Sequence, residues 1–201
     1  MTDNKENIVT AKHLFKRNTK TGDSIFVSLD INKKLTKFKA KVYFHPNALV
    51  DVAVLRIDSS ISKETPIALG FGGQVFLGQQ CIFLGFPIFN LGAYTKNEKI
   101  PLVKRAIVSA FYEKNGINIW LLDGHNNSGF SGGPIVSVAP YDKMDNQFIA
   151  GIISGYINEN KKMSLKDGKG VESELSLNDN SGIIISYPSK YILETISTIK
   201  N

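Results

Sequence analysis

The residues with the most chemistry to offer stand at three separated places in the chain. Ile8-Val9-Thr10-Ala11-Lys12-His13 is a β-type run that delivers a histidine, and Asp51-Val52-Ala53-Val54-Leu55-Arg56-Ile57 opens a strand with an aspartate. Gly129-Phe130-Ser131-Gly132-Gly133-Pro134 sets a serine among glycines just ahead of the apolar run Ile135-Val136-Ser137-Val138. A serine hydroxyl is a weak nucleophile at neutral pH and needs a base beside it. An imidazole, with a free pKa of about 6.5, can take that proton, and a carboxylate fixes the imidazole tautomer and stabilises the imidazolium that forms. The glycines let the backbone turn sharply, so the N–H groups of Gly129 and Ser131 can converge on a developing oxyanion, an effect worth about 3 kcal/mol per donor. Taken singly, each residue has an ordinary explanation: a packed or surface histidine, an aspartate in a turn, a Gly-Gly-Pro bend. Together, each at a strand edge, they make His13, Asp51 and Ser131 candidate catalytic residues. The N–H groups of Gly129 and Ser131 become the candidate oxyanion donors.

The elements that must carry them are nearly all strands. From 35 to 44, Phe38, Ala40, Val42 and Phe44 share one parity and Lys37, Lys39 and Lys41 the other, which describes a half-buried strand with a lysine-coated outer face. Short β-rich runs recur at 25–29, 52–57, 80–86, 102–112, 117–122, 133–138, 148–156 and 182–187, most of them separated by Gly- and Asn-rich turns. Only the end reads as a helix: Pro188-Ser189 opens it, and Ile192, Leu193, Ile196 and Ile199 form one apolar stripe. Many short strands with one terminal helix predict an all-β sandwich or barrel. Two polar stretches read as loops, Ala139–Gln147 and the long Asn158–Ser181, the latter expected to act as a mobile flap.

On these residues the chain resembles the chymotrypsin-like (trypsin-like) serine proteases, in particular the bacterial members that lack disulfides. Thr10-Ala11-Lys12-His13 resembles the family's Thr-Ala-x-His, and Asp51-Val52-Ala53-Val54-Leu55 its Asp-hydrophobic-Ala-hydrophobic-Leu strand. Gly129-Phe130-Ser131-Gly132-Gly133-Pro134 matches Gly-x-Ser-Gly-Gly-Pro, with the three motifs in the chain order His, Asp, Ser. The resemblance implies a double six-stranded β-barrel with the active site between the barrels and a C-terminal helix behind. Residues 1–70 would form the N-terminal barrel and 71–201 the second. It further implies a serine endopeptidase acting on polypeptides through an acyl-enzyme, with a catalytically impaired peptide-binding module as the alternative. Gly151-Ile152-Ile153-Ser154-Gly155 resembles the substrate-pairing strand, so Ser154 would hydrogen-bond the aspartate. Ser154, Gly155 and Tyr156 would then line the specificity pocket, with His125 at its floor. Trypsin-type enzymes carry an aspartate at that floor, so basic-residue specificity is not expected. Phe130 stands where zymogen-activated members carry an aspartate, which predicts a serine loop held by packing and no such switch.

The remaining features bound the reading. No apolar run is long enough to span a membrane as a helix. The net charge of +6 suits solubility, and without a recognised module no nucleic-acid partner is expected. No metal or cofactor is expected either, because His13, His45 and His125 lack metal-ligand spacing and only one cysteine, Cys81, is present. Cys81 lies in an apolar run and reads as core, and His45, before Pro46, as an unremarkable loop residue. Thr2–Asn7 reads as a hairpin turn preceded only by Met1, so the opening strand of the first barrel is expected to be missing. The leaderless N-terminus points to the cytoplasm, with secretion or a periplasmic location the alternative if an upstream signal has been lost.

Overall fold

Alternation along the lysine strand produces the pattern it predicts: Ala40 and Val42 are buried while Lys37, Lys39 and Lys41 are exposed. The computed structural model describes residues 6–31, 34–58, 75–87, 93–95, 98–138, 147–166, 168 and 172–199. In the first half, β1 (Glu6–Thr10), β2 (Ser24–Ile31), β3 (Lys34–Phe44) and β4 (Ala53–Ile57) form an antiparallel sheet in the order β1-β4-β3-β2. Its inward side chains Ala40, Val42, Leu55 and Ile57 pack with Ile25, Val27, Leu29 and Phe38. Where the resemblance implies a six-stranded barrel lacking its opening strand, the described residues of this half form four strands, and residues 59–74 lie outside them. The 70/71 boundary, the stretch 139–146 and most of the 2–7 hairpin fall outside them.

The second half closes fully. After β5 (Gln80–Gly85) come a small hairpin of β6 (Ala93–Thr95) and β7 (Glu98–Ile100), then β8 (Leu102–Lys114), β9 (Ile117–Asp123), β10 (Pro134–Ser137), β11 (Ile149–Lys166) and β12 (Glu172–Pro188). Strands β10-β11-β12-β9-β8-β5 make a closed six-stranded barrel. Closure removes unpaired edges, and the interior is filled by Phe83, Val108, Trp120, Leu122, Phe130, Ile135, Ile153 and Ile184. Cys81 belongs to this core as expected, and burial pushes its thiol up to about 11.

The stretch expected to be a loop at Asn158–Ser181 is instead a two-stranded ribbon. Residues 158–166 of β11 pair with 172–180 of β12 in unbroken register, from Asn158 opposite Asn180 to Lys166 opposite Glu172. The ribbon is polar because it projects from the barrel and most of its side chains are exposed. Main-chain bonds, not a buried face, hold its strands, so the alternation that marks a half-buried strand is weak. Lys161 bridges to Asp179 at 2.7 Å across it.

A separate apolar cluster joins the halves. Val50 and Val52, both fully buried, pack with Ile117, Ile152, Tyr187, Tyr191 and Ile192. Tyr191 and Ile192 come from α1 (Ser189–Ser197), which forms where the apolar stripe predicts. Thr195 is buried on the same face because its hydroxyl donates to the Tyr191 carbonyl at 2.7 Å. His45 is not the idle loop residue expected. It is buried, its Nδ1 accepts the Asn47 N–H at 3.1 Å, and its Nε2 meets Glu194 Oε2 of α1 at 2.8 Å. Its ring stands edge-on to Tyr191, with centroids 5.3 Å apart. His45→Ala should therefore loosen the seam and lower stability by about 1–3 kcal/mol, measured as a shift in the urea midpoint. An unchanged midpoint would show the clasp to be idle.

Candidate active site

Asp51 sits between Val50 and Val52, and the burial of both neighbours fixes where its carboxylate points. Its Oδ1 accepts the backbone N–H of His13 at 2.8 Å, and its Oδ2 lies 2.6 Å from His13 Nδ1. The carboxylate therefore holds the proton on Nδ1 and leaves Nε2 as the basic nitrogen. His13 is presented by a 3₁₀ turn, Lys12–Leu14, joined to β1 through Ala11. The Asp51 side chain is 17% exposed and the imidazole 47%, so the ring faces solvent while its partner is largely shielded. Tyr187 closes the rear of this pair, its hydroxyl donating to the Leu49 carbonyl at 3.2 Å. Burial, and then the neighbouring Asp51 charge, raises its pKa and keeps the phenol neutral.

Ser154 connects the two halves of the site. It is the extra residue where the β11–β12 register shifts between Ile153 and Gly155, a bulge of the kind that redirects a side chain out of the sheet pattern. Its hydroxyl donates to Asp51 Oδ2 at 2.5 Å, and its carbonyl accepts the Ser131 hydroxyl at 3.0 Å. Asp51 and Ser131 are thus tied to opposite ends of one residue. A serine has one hydroxyl proton, so in this arrangement it is shared with Ser154 and not with His13.

The serine loop is fixed by packing. Phe130 is fully buried in the barrel core, edge-on to Phe83 at 5.2 Å between centroids. Lys104 crosses the other side, its Nζ 5.2 Å from the Phe130 ring centre, and donates to the His125 carbonyl at 2.7 Å and to Asn127 Oδ1. Burial lowers the Lys104 pKa. Gly129 has φ +104°, and a Cβ there would lie 2.3 Å from the Phe86 carbonyl oxygen. Gly132 has φ +80°, and a Cβ there would lie 2.3 Å from Thr10 Oγ1. No other residue fits either place, and the second contact sets the serine loop directly against the strand that leads to His13. Among the described residues the N–H groups of Gly129 and Ser131 have no protein acceptor, which leaves both available to an incoming oxygen.

The other sequence-predicted site residues are Ser154, Gly155, Tyr156 and His125. Ser154, Gly155 and Tyr156 are half-buried, and the space a Gly155 side chain would fill is open. His125 is exposed, its Nε2 3.4 Å from Asn127 Nδ2. The buried residue is its neighbour Asn126, 1% exposed, whose Nδ2 donates to the Gly155 carbonyl at 3.3 Å. Its carbonyl accepts Asn180 Nδ2 from the base of the ribbon. Asn126 and Lys104 were not among the candidates from sequence. Lys104 lies in β8 with no motif around it, and only the fold brings it to the serine loop. Among the described residues no group of three or more His, Cys, Asp or Glu side chains is placed to hold a metal ion.

Comparison with known proteins places this geometry. The family model for the trypsin-like peptidase domain matches residues 2–140. Protease Do-like 1, chloroplastic, from Arabidopsis thaliana is 35% identical over 86 residues, 43% of this chain and 19% of that protein. The solved structure of the HtrA-type protease AlgW with a decapeptide matches with a TM-score of 0.62 at 21% identity, covering 98% of this chain and 49% of its own. The serine endoprotease from Yersinia pestis matches with a TM-score of 0.58 at 21% identity, covering 98% and 54% respectively. At those identities the likeness concerns the fold, and the chain spans about half the length of these two structures.

Among the described residues the hydroxyl of Ser154 supplies one of three hydrogen bonds to the Asp51 carboxylate, and a bond to a charged group is worth about 1.5–3 kcal/mol. Ser154→Ala should slow phosphonylation of Ser131 by a fluorophosphonate roughly ten-fold, and Ser154→Thr should restore most of the rate. Equal rates in all three proteins would remove Ser154 from the positioning of Asp51.

Proposed function

Since the chain belongs to the trypsin-like peptidase domain family, we propose that it is a serine endopeptidase whose nucleophile is Ser131. The observation that carries this reading is the 2.6 Å contact of His13 Nδ1 with Asp51, with Ser131 held from the same carboxylate through Ser154. In the proposed reaction the Ser131 hydroxyl leaves the Ser154 carbonyl and turns to His13 Nε2. Its oxygen bonds to the scissile carbonyl carbon as its proton passes to Nε2, and the carbonyl π pair moves onto oxygen. The N–H groups of Gly129 and Ser131 stabilise that oxyanion. Collapse breaks the C–N bond, the amine leaves with the proton from His13, and the acyl group stays on Ser131. Water then repeats the sequence, with His13 again as base, and frees the acid.

The substrate is a polypeptide, as the peptide-bound HtrA-type neighbour supports. It lies extended against Ser154–Tyr156, where the open space over Gly155 receives a side chain. Because Phe130 anchors the serine loop in the barrel core, activation needs no ion pair from a newly cut N-terminus. Peptide binding without cleavage is the second reading, favoured by the donation of the Ser131 hydroxyl to Ser154.

A fluorophosphonate should form a covalent adduct mapped by mass spectrometry to Ser131, and Ser131→Ala should form none. Asp51→Asn should retain the fold but lower the rate of peptide cleavage by about 10⁴-fold, since the imidazole would then hold the wrong tautomer. A folded chain that binds peptides but gives neither adduct nor product would establish the second reading instead.

A further inference from the structure

A cavity of about 470 Å³ is lined by His13 and Asp51. Its apolar surface comes from Phe15, Phe44 and Leu49, the two rings meeting edge-on at 5.3 Å between centroids. Three cations, Lys12, Lys16 and Arg17, also line it. Lys12 is fixed across the opening, with its Nζ 2.9 Å from the Ala48 carbonyl and 5.6 Å from the centre of the Phe44 ring. One of its three donors is used there, and two remain. Lys16 and Arg17 are exposed and have no side-chain ion-pair partner among the described residues. Among the described residues the only carboxylate in the wall is Asp51, whose oxygens already accept from the His13 backbone, the His13 ring and Ser154. The cavity therefore combines an apolar floor with unspent positive charge.

We propose that this cavity is a substrate subsite that takes an acidic side chain, Glu above Asp, from a residue one or two positions from the cut. The inference rests on the endopeptidase reading for where the cut falls. An extended peptide advances about 3.3 Å per residue, so a side chain in a pocket walled by the catalytic imidazole belongs to a close neighbour of the scissile bond. The Glu methylenes lie on the Phe15–Phe44 surface, and its carboxylate is met by Lys12, Lys16 and Arg17. An amide of the same shape gains the apolar contact but not the charge, and a Lys or Arg side chain is repelled.

The test uses two C-terminally amidated peptide libraries that differ only in carrying Glu or Gln at each varied position; amidation removes the terminal carboxylate as a competing ligand. The full chain digests both, and the products are sequenced. Glu should be favoured over Gln within two residues of the cut by about five-fold at low salt, and the preference should shrink at high salt. Charge reversal by Lys16→Glu with Arg17→Glu should drive the ratio below one. Because the ratio is taken within one enzyme, a change in total activity does not affect it. Lys37→Glu with Lys39→Glu, the same charge change on the outer face of β3, should leave it in place. A wild-type ratio near one, or an equal fall in the β3 variant, overturns the subsite and leaves the endopeptidase reading standing. If neither library is cut and no fluorophosphonate adduct forms, the endopeptidase reading fails. The same Glu-to-Gln ratio, measured as equilibrium binding to the Ser131→Ala chain, then decides the pocket.

Discussion

The carboxylate of Asp51 is the point on which the site depends. It accepts the His13 backbone N–H, the His13 ring and the Ser154 hydroxyl, so one anion sets the histidine's position and tautomer and draws in the residue that holds the serine. A largely shielded charge is tolerable only when such donors surround it. The donors come from both halves of the molecule, so the carboxylate is fully satisfied only when the halves are docked. The seam of Val50, Val52, Ile152, Tyr187 and Ile192 that flanks it therefore has two roles. It buries apolar surface, and it sets the distances in the site.

The same division of labour recurs in the serine loop. Its backbone takes positive φ at Gly129 and Gly132 and is held by Phe130 in the barrel interior, with Lys104 lying across that ring. A closed barrel is a stiff support, because its strands have no free edge along which to shift. The four-stranded sheet opposite presents His13 and the cationic cavity beside it. On the proposed reading the barrel half carries the nucleophile and oxyanion donors, and the other half carries the base and the charge that would read the substrate. The ribbon of β11 and β12 extends from the rigid half, its base tied to Asn126 by Asn180.

Much of this was legible in the chain. Strand alternation around Lys37, Lys39 and Lys41, the apolar run holding Cys81 and the helix after Pro188 all depend on local periodicity, which survives in the folded protein. The Asn158–Ser181 ribbon reads as a loop in the sequence because strands that bury neither face leave only a weak alternation. His45 was misread because its partners, Glu194 and Tyr191, are more than 140 residues away in sequence and nothing local marks them.

What the sequence determined by itself was chemical identity and order: a histidine, an aspartate and a glycine-flanked serine at strand edges, with Phe130 excluding a charge beside the serine. Residue type and short-range backbone preference are local properties and need no fold to be read. Only the tertiary structure decided the rest. The bulge at Ser154 lets one residue hold both Asp51 and Ser131, the Ser131 proton rests on a carbonyl instead of on His13, Asn126 and not His125 is the buried side chain beside Gly155, and three cations share a cavity with the imidazole. The first three are contacts between groups far apart in the chain, set by barrel closure and the seam between the halves; the cations lie near His13 in sequence, but the cavity they line is completed by Phe44 and Leu49, some thirty residues on.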